Sequence, residues 1–321
     1  MTRLLEVDDL HLRLRRGATA LVEGVSFSLD QGETLGIVGE SGCGKSLLAL
    51  AVMGLLPDGI EATGRIRFEG LDLLTLPERA RCAVRGRRIA MVFQDAMAGL
   101  DPRLPIGQQV AEGMRLHLRL GRAEAEARSR NLLDRVGLPA ARVPPDARPG
   151  RLSGGQRQRV LIAIALACRP ALLIADEFST ALDMATQADI MQLLREVTQE
   201  NAMALMLISH DLGLVRDAAA RVMVLYAGRV AELGDVGAVL SHPMHPYTHG
   251  LLATTLHGAR HAPGSMLPTI EGHVPDPFGA RSPGCAFVPR CARAAPDCAA
   301  PPPLAGSDAH RAACFHPVAG A

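Results

Sequence analysis

The chain has 321 residues, carries a formal net charge of +1 and is 48% hydrophobic. This length suits one large domain with a smaller one, or two domains, and the near-neutral charge gives no electrostatic reason to expect a nucleic-acid partner. No apolar run approaches the roughly 18–20 residues of a membrane-spanning helix, and no secretory signal follows Met1. We therefore expect a cytoplasmic protein with an aliphatic core.

The chain begins with alternating apolar residues, which predict two strands of an antiparallel sheet over residues 4–14 and 21–29. Short apolar runs then alternate with segments of helical periodicity. The predicted strands cover about residues 35–38, 64–70, 89–94, 171–177 and 204–208, and the predicted helices about 106–140, 156–168 and 189–199, before a hairpin at 221–232. Buried strands that alternate with helices indicate an α/β fold whose parallel sheet is covered on both faces.

A glycine-rich stretch between the strand at 35–38 and the next helix has the phosphate-loop pattern G-x-x-x-x-G-K-[ST]. Its glycines let successive N–H groups converge on one anion, and the helix N-terminus adds partial positive charge. Lys45, the single lysine of the chain, can reach the β- and γ-phosphates, and the Ser46 hydroxyl can bind Mg²⁺. The predicted nucleotide-binding residues are Gly39, Glu40, Ser41, Gly42, Cys43, Gly44, Lys45, Ser46 and Leu47.

Polar residues lie at the ends of three other predicted strands, and these ends line one crevice in folds of this class. Asp176 can hold Mg²⁺, and the adjacent Glu177 can act as the general base for an attacking water. Gln94 can contact the metal and the water, and His210 can hydrogen-bond the γ-phosphate. Taken singly, a histidine at a strand end is more often an ordinary surface residue, and an Asp-Glu pair can simply cap a helix.

A second glycine turn, Ser153-Gly154-Gly155-Gln156, precedes the apolar helix at 156–168. The serine can cap this helix, and the amides of the two glycines can form another anion site at its N-terminus.

Together these motifs resemble those of the ATP-binding cassette (ABC) ATPases over about residues 4–235. Residues 39–46 match Walker A, 172–176 Walker B, 152–156 the signature motif and 179–183 the D-loop, and Gln94 and His210 match the Q-loop and the switch histidine. The resemblance implies a P-loop NTPase (RecA-like) core with a parallel sheet. An antiparallel N-terminal β subdomain and a helical signature-motif subdomain at about 96–165 complete a nucleotide-binding domain over residues 1–235.

The resemblance also implies how ATP is bound. In this family two cassettes associate head to tail, and the signature motif of one closes over the nucleotide of the other. Ser153, Gly154, Gly155, Gln156 and Asp183 would then complete the site of a second ABC ATPase subunit, homologous or identical to this one. Mg²⁺ would be held by Ser46, Gln94 and Asp176.

Within the family, the chain is most similar to ATPase subunits of dipeptide, oligopeptide and nickel importers. Residues 51–57, the HPYT segment within 245–252 and residues 284–291 carry this similarity. It implies a C-terminal extension over residues 236–321 and ATP hydrolysis coupled to solute uptake. The implied partners are two membrane permease subunits and an extracytoplasmic solute-binding protein, with this subunit peripheral at the cytoplasmic face of the inner (cell) membrane. The alternatives are an exporter ATPase, and a non-transport ABC ATPase acting on nucleic acid or ribosomes.

The chain departs from the family pattern at several positions. Phe178 replaces a common proline, and Asp95-Ala96 replaces a Glu-Pro pair at the surface that meets the permease. The first loop offers Arg15 and Arg16 rather than an aromatic residue to stack on adenine. The sequence leaves the transported solute and the mode of adenine binding open.

Four of the seven cysteines, Cys285, Cys291, Cys298 and Cys314, lie in the proline-rich tail. A reducing cytoplasm disfavours structural disulfides, and four thiolates suit zinc or an iron–sulfur cluster. Similar tails in the peptide-importer subfamily bind a [4Fe–4S] cluster, so the resemblance implies one here, with zinc and free thiols as alternatives. We expect the metal to fix the tail and its loss to leave nucleotide binding nearly intact.

Overall fold

The computed structural model describes residues 3–15, 19–95, 99–178, 183–254, 268–276, 278–279 and 283–318. By compactness the chain divides into two units. Unit 1 comprises Met1–Leu4, Asp30–Glu33 and Thr75–Met206, and unit 2 comprises Leu5–Leu29, Thr34–Leu74 and Leu207–Ala321. The domain boundary expected near residue 235 stays a prediction. Within the described part of the chain, no helix is both long enough and apolar enough to span a bilayer.

The strands fall where apolar residues alternate or form short continuous runs. Strands that are buried throughout read as unbroken apolar runs, because both of their faces are covered. The strands are β1 (Arg3–Leu14), β2 (Ala20–Asp30), β3 (Thr34–Val38), β4 (Ile60–Phe68), β5 (Leu71–Asp72), β6 (Ile89–Val92), β7 (Leu172–Asp176), β8 (Ala204–Ile208), β9 (Arg221–Tyr226), β10 (Arg229–Asp235), β11 (Ala305–Ser307) and β12 (His310–Ala312).

The helices begin at capped or glycine-rich turns in several cases, as their N-terminal N–H groups require. The α-helices are α1 (Lys45–Met53), α2 (Glu78–Val84), α3 (Ile106–Leu118), α4 (Arg122–Arg135), α5 (Gly154–Leu166), α6 (Met184–Asn201), α7 (Leu212–Ala218), α8 (Val236–Ser241) and α9 (Pro246–Ala253).

Unit 2 contains two sheets. In the first, with strand order β2-β1-β4-β5, β4 pairs antiparallel with both β1 and β5. In the second, the order β11-β12-β10-β9-β3 continues into Leu207 and Ile208 of β8. β3 runs parallel to β9, whereas β10 is antiparallel to β9 and β12. Gly36 lets α7 approach β3, because a Cβ atom there would lie 2.2 Å from Val215 Cγ1.

Unit 1 combines a parallel sheet edge with a group of helices. β6 and β7 are parallel and fully in register from Ile89 opposite Leu172 to Val92 opposite Ala175. Helices α3, α4 and α5 pack against one another. Buried Ser129 of α4 donates a hydrogen bond to the Gly107 carbonyl of α3 over 2.8 Å, which fixes the two helices side by side.

The predicted fold class is confirmed, with parallel strand pairs, an antiparallel N-terminal sheet and surrounding helices. Differences lie in the detail. The strand predicted at 64–70 begins earlier, at Ile60, and the helix predicted from 189 begins at Met184. β11 and β12 were not predicted, because each has three residues and β11 is entirely exposed. Strands this short are held in place by pairing, β12 with β10 and β11 with β12, and their own sequence shows no alternation.

Candidate nucleotide-binding site

The phosphate loop connects β3 to α1 in unit 2. Its glycines adopt backbone angles that favour glycine, with φ of 153° at Gly39, 79° at Gly42 and 103° at Gly44. A Cβ atom on Gly39 would lie only 2.2 Å from the carbonyl oxygen of Leu225, so the loop requires glycine there. The turn ends directly in α1, whose N-terminus points its free N–H groups into the loop.

Lys45 is the first residue of α1 and is 4% exposed. Its Nζ donates hydrogen bonds to the carbonyl oxygens of Gly39, at 2.8 Å, and Glu40, at 3.1 Å. The ammonium is therefore held inside the loop, where an anion would meet its charge. Burial raises the pKa of the nearby Cys43 thiol, so that this residue serves as a small uncharged side chain. These features fit the phosphates of a nucleotide.

The remaining loop residues differ in exposure. Ser41, Gly42 and Ser46 are exposed, and Leu47 is half-buried. Ser46 is the second residue of α1, which leaves its hydroxyl available to a metal ion at the surface.

His210 follows β8 in the same unit and is exposed. The preceding residue, Ser209, donates its N–H to the Ile37 carbonyl of β3 over 3.1 Å, which holds the end of β8 beside the strand that leads into the phosphate loop. The next residue, Asp211, caps α7 by accepting the N–H of Gly213 over 2.8 Å. His210 thus lies between two fixed points of the backbone.

In unit 1, the ends of β6 and β7 bring two predicted residues together. Gln94 Nε2 donates a hydrogen bond to Glu177 Oε2 over 3.1 Å. Asp176, the last residue of β7, is 5% exposed. Glu177 has φ of 42°, an uncommon conformation for a residue with a side chain that recurs at functional sites.

The predicted signature turn forms a reciprocal cap at the start of α5. Gln156 donates its N–H to Ser153 Oγ over 3.3 Å, and the Ser153 N–H donates to Gln156 Oε1 over 2.9 Å. Gly154 is exposed, and a Cβ atom there would meet nothing within 4 Å. The turn therefore caps its helix and also leaves the helix N-terminus open to an incoming anion.

Asp183 caps α6, and residues 179–182 of the predicted D-loop lie outside the described residues. Its carboxylate accepts hydrogen bonds from Thr186, from the N–H over 2.9 Å and from Oγ1 over 2.7 Å. These two bonds hold the pKa of Asp183 below its usual range. The structure thus gives Asp183 a capping role, and its contact with nucleotide stays a prediction.

Comparison with known proteins identifies the family. A model of the ABC transporter family matches residues 22–180, and a model of the oligopeptide/dipeptide transporter C-terminal region matches residues 231–298. The oligopeptide transport ATP-binding protein OppD of Salmonella typhimurium is 45% identical over 98% of this chain and 94% of its own length. The chain belongs to the ABC transporter family. It is an ATPase subunit of such a transporter.

Other similar proteins agree with this assignment. A relative in Brucella abortus is 47% identical over 94% of this chain and 91% of its own length. The dipeptide transport ATP-binding protein DppD of Escherichia coli is 41% identical over 98% of this chain and 97% of its own length. Among solved structures, the dimeric ATP-binding cassette MJ0796 in a post-hydrolysis state with ADP and Pi has a TM-score of 0.65. It is 26% identical, covering 73% of this chain and 99% of that one.

The C-terminal part of this ABC ATPase reaches the phosphate loop, which the sequence did not predict. The Glu40 N–H donates to Tyr247 Oη over 2.9 Å, and the Arg290 guanidinium binds the Glu40 carboxylate. Tyr247 belongs to the HPYT segment, whose pattern marks the subfamily and predicts no contact with the phosphate loop. No local pattern connects either residue to a loop more than 200 positions earlier.

The four tail cysteines line one small cavity in unit 2, together with Phe287 and His316 among others. The Cys285 N–H donates to the Cys298 carbonyl over 3.0 Å, which ties two of these positions together. Among the described residues, no three cysteine sulfurs lie within 4.8 Å of one another. The single group in the described part of the chain whose three possible ligand atoms lie within that distance consists of Asp297, Cys298 and His316. Four sulfurs around zinc would be about 3.8 Å apart, given a Zn–S distance near 2.3 Å. The sulfurs are therefore not arranged as in a four-cysteine zinc site.

Proposed function

We propose that this ATPase subunit drives the import of peptides. The observation that carries the proposal is the match of residues 231–298 to the oligopeptide/dipeptide transporter C-terminal region, since this extension distinguishes subfamilies that share one cassette. Relatives that align over nearly the whole chain are named for oligopeptide and dipeptide transport. Nickel or a related small solute remains the alternative cargo.

In hydrolysis, the phosphate loop would hold the β- and γ-phosphates through its N–H groups and Lys45. Glu177 would accept the proton of the water whose oxygen attacks the γ-phosphorus, while ADP leaves with the electrons of the broken P–O bond. The hydrogen bond from Gln94 supports this role, because it orients the Glu177 carboxylate. His210 would hydrogen-bond the γ-phosphate. When bound to Ser46, Gln94 and Asp176, Mg²⁺ would neutralise phosphate charge.

For assembly, we propose a head-to-tail pair of cassettes in which Ser153, Gly154, Gly155 and Gln156 face the nucleotide of the second ABC ATPase subunit. The open N-terminus of α5 supports this, since it can take the γ-phosphate of a partner-bound ATP. Two membrane permease subunits and an extracytoplasmic solute-binding protein complete the importer, with this subunit peripheral at the cytoplasmic face of the inner membrane.

We further propose that Cys285, Cys291, Cys298 and Cys314 hold a [4Fe–4S] cluster. The cavity that these four cysteines share supports it, as does the preference of iron–sulfur clusters for four thiolates. Zinc and free thiols are the alternatives, and Asp297, Cys298 and His316 offer three ligand atoms close enough together for a zinc ion. The cluster would contribute folding energy to a segment that has little regular secondary structure.

The experiment is reconstitution in vesicles with its permease subunits and solute-binding protein, which we expect to be encoded by neighbouring genes. A mixture of di- and oligopeptides is expected to stimulate ATP hydrolysis and to accumulate in the vesicles, while Ni²⁺ should do neither. The matched control is the same complex with Lys45→Ala, which should show no stimulation. Uptake of Ni²⁺ without peptide uptake would refute the peptide assignment. Peptide uptake that needs no ATP would refute the ATPase role.

A further inference from the structure

Arg290 and Glu40 form a two-point ion pair between the C-terminal part and the phosphate loop of unit 2. Arg290 Nη1 donates to Glu40 Oε2 over 2.7 Å and Nη2 donates to Oε1 over 3.1 Å. The Arg290 side chain is only 4% exposed and that of Glu40 23% exposed. A bidentate guanidinium–carboxylate pair of this kind is directional, and its shielding from water sets it apart from the weak pairs of a protein surface.

Tyr247 holds the same residue by its backbone. The phenol oxygen of Tyr247 accepts the Glu40 N–H over 2.9 Å, and the tyrosine is fully buried. Burial raises the pKa of Tyr247 far above neutral pH, so that the phenol stays uncharged. The Tyr247 N–H donates to His245 Nδ1 over 3.0 Å, and the ring packs 4.6 Å from Tyr226 and 5.5 Å from Phe287 between centroids. The hydroxyl is therefore presented from a rigid aromatic cluster.

The residue held in this way is part of the loop that positions Lys45. The Glu40 carbonyl oxygen accepts a hydrogen bond from Lys45 Nζ, and Glu40 follows Gly39, whose carbonyl accepts the other. A glycine-rich loop has many accessible conformations, and only some of them direct its N–H groups at one phosphate. Fixing Glu40 at its N–H and its carboxylate removes much of that freedom before ATP arrives, which favours binding by preorganisation.

We propose that Arg290 and Tyr247 are positioning residues of the ATP site, which hold the phosphate loop in its binding shape through Glu40. This inference rests on the proposed assignment of residues 39–46 as the ATP phosphate site. It gives the C-terminal extension a part in nucleotide binding. From the sequence, we expect only that a metal holds this extension in a fixed fold.

The test measures affinity for the magnesium complex of the nonhydrolysable analogue AMP-PNP by calorimetry on the purified full chain. Tyr247→Phe removes one hydroxyl and keeps the ring, and we expect it to weaken binding roughly threefold to fivefold. Arg290→Ala is expected to weaken binding roughly tenfold or more, because a charge-assisted pair is lost, with Arg290→Lys in between. In the assembled transporter KM for ATP should rise much more than kcat falls, because bound phosphates hold the loop themselves.

The matched control is Arg293→Ala, in the same tail segment. Arg293 is exposed and donates from Nε to the His316 carbonyl over 3.1 Å, away from Glu40. We expect AMP-PNP affinity within about twofold of wild type for this variant, as for most surface substitutions. A loss of affinity in Arg293→Ala equal to that in Arg290→Ala would show a general effect of the tail and would overturn the proposal.

A double-mutant cycle separates positioning from simple stability. If Arg290 acts through Glu40, the variant with both Glu40→Gln and Arg290→Ala should bind no more weakly than the worse single variant. Multiplicative losses would overturn the proposal, as would lowered melting temperatures with unchanged affinity in Tyr247→Phe and Arg290→Lys. If Arg290→Ala does not fold, these two conservative variants still test the proposal.

Lys45→Ala, measured in parallel, distinguishes failure of the positioning proposal from failure of the phosphate-loop assignment. Retained AMP-PNP binding in Lys45→Ala would refute the phosphate-loop assignment itself.

Discussion

Gln94 and Glu177 lie 83 positions apart in the chain and are joined by a hydrogen bond of 3.1 Å. The parallel register of β6 and β7 brings them together, because Val92, the last residue of β6, pairs with Ala175, the next-to-last residue of β7. The left-handed backbone at Glu177 then sets the direction of its side chain. A carboxylate oriented by a neutral amide is well placed to accept a proton.

Glu177→Gln is expected to bind ATP normally and to lose turnover by roughly 10²- to 10⁴-fold, because the amide cannot accept the proton of water. Steady-state hydrolysis by the purified transporter complex, together with nucleotide affinity, checks both parts. Near-normal turnover would contradict the assignment of Glu177. Lys45→Ala serves as the contrasting variant, since it should lose affinity for ATP rather than only the chemical step.

The proposed sharing of ATP between cassettes predicts that the isolated chain is mostly monomeric and poorly active. With ATP and its cassette partner, the Glu177→Gln protein should form a stable dimer, because hydrolysis no longer releases the nucleotide between them. Analytical ultracentrifugation with and without ATP measures this association. Ser153→Asn is a useful control, because asparagine also caps a helix and should leave the stability of α5 nearly unchanged. A loss of association in this variant would therefore come from the contact with nucleotide and not from an unfolded helix. Absence of any ATP-dependent association would contradict the shared site.

The tail cysteines predict a brown protein when purification excludes oxygen. We expect broad absorbance near 400 nm and about four irons per chain, as for a [4Fe–4S] cluster held by four thiolates. Cys291→Ser should lose the colour and increase protease cleavage after residue 280, while the matched Cys82→Ser, at an exposed cysteine of α2, should keep it. Colourless protein with stoichiometric zinc would contradict the cluster.

Loss of the cluster should also lower the affinity for nucleotide. The sequence alone predicts nearly intact ATP binding after loss of the metal in Cys291→Ser, but the preceding residue is Arg290, whose guanidinium binds Glu40. A loosened tail would release this contact, so we now expect AMP-PNP affinity to fall by a factor similar to that in Arg290→Ala. Calorimetry on the iron-free variant measures it, and wild-type affinity there would show that the ion pair holds without the cluster.

Glu232 of β10 predicts a stability effect, since it is fully buried and serves three partners. Its carboxylate accepts the N–H of Met244 over 2.7 Å and that of His245 over 2.9 Å, and it contacts His310 Nε2 at 2.6 Å. Glu232→Ala should lower the free energy of unfolding by about 3–5 kcal/mol, because buried polar groups lose their partner. Urea unfolding followed by circular dichroism measures this. Glu61→Ala, at an exposed ion pair with Arg15, should lower the free energy of unfolding by less than about 1 kcal/mol. Equal losses in Glu232→Ala and Glu61→Ala would contradict the stabilising role of Glu232.

Much of the nucleotide site could be predicted from the sequence because its signals are local. The glycine spacing from Gly39 to Gly44 and the single lysine specify a phosphate loop within a few residues, and alternating or continuous apolar runs specify the strands around it. The signature turn is equally local, since Ser153 and Gln156 cap their own helix. For the same reason the α/β class and the family followed from the sequence.

Only the tertiary structure decided which residues of the C-terminal part contact the phosphate loop. Arg290 reaches Glu40 across 250 positions and Tyr247 reaches it across 207, and neither contact has a periodicity or spacing that a sequence can display. The left-handed backbone at Glu177 and the pairing of β12 with β10 are likewise set by neighbours distant in the chain. Sequence patterns report what adjacent residues favour, whereas a hydrogen bond between distant residues exists only once the packed sheet has brought their elements together.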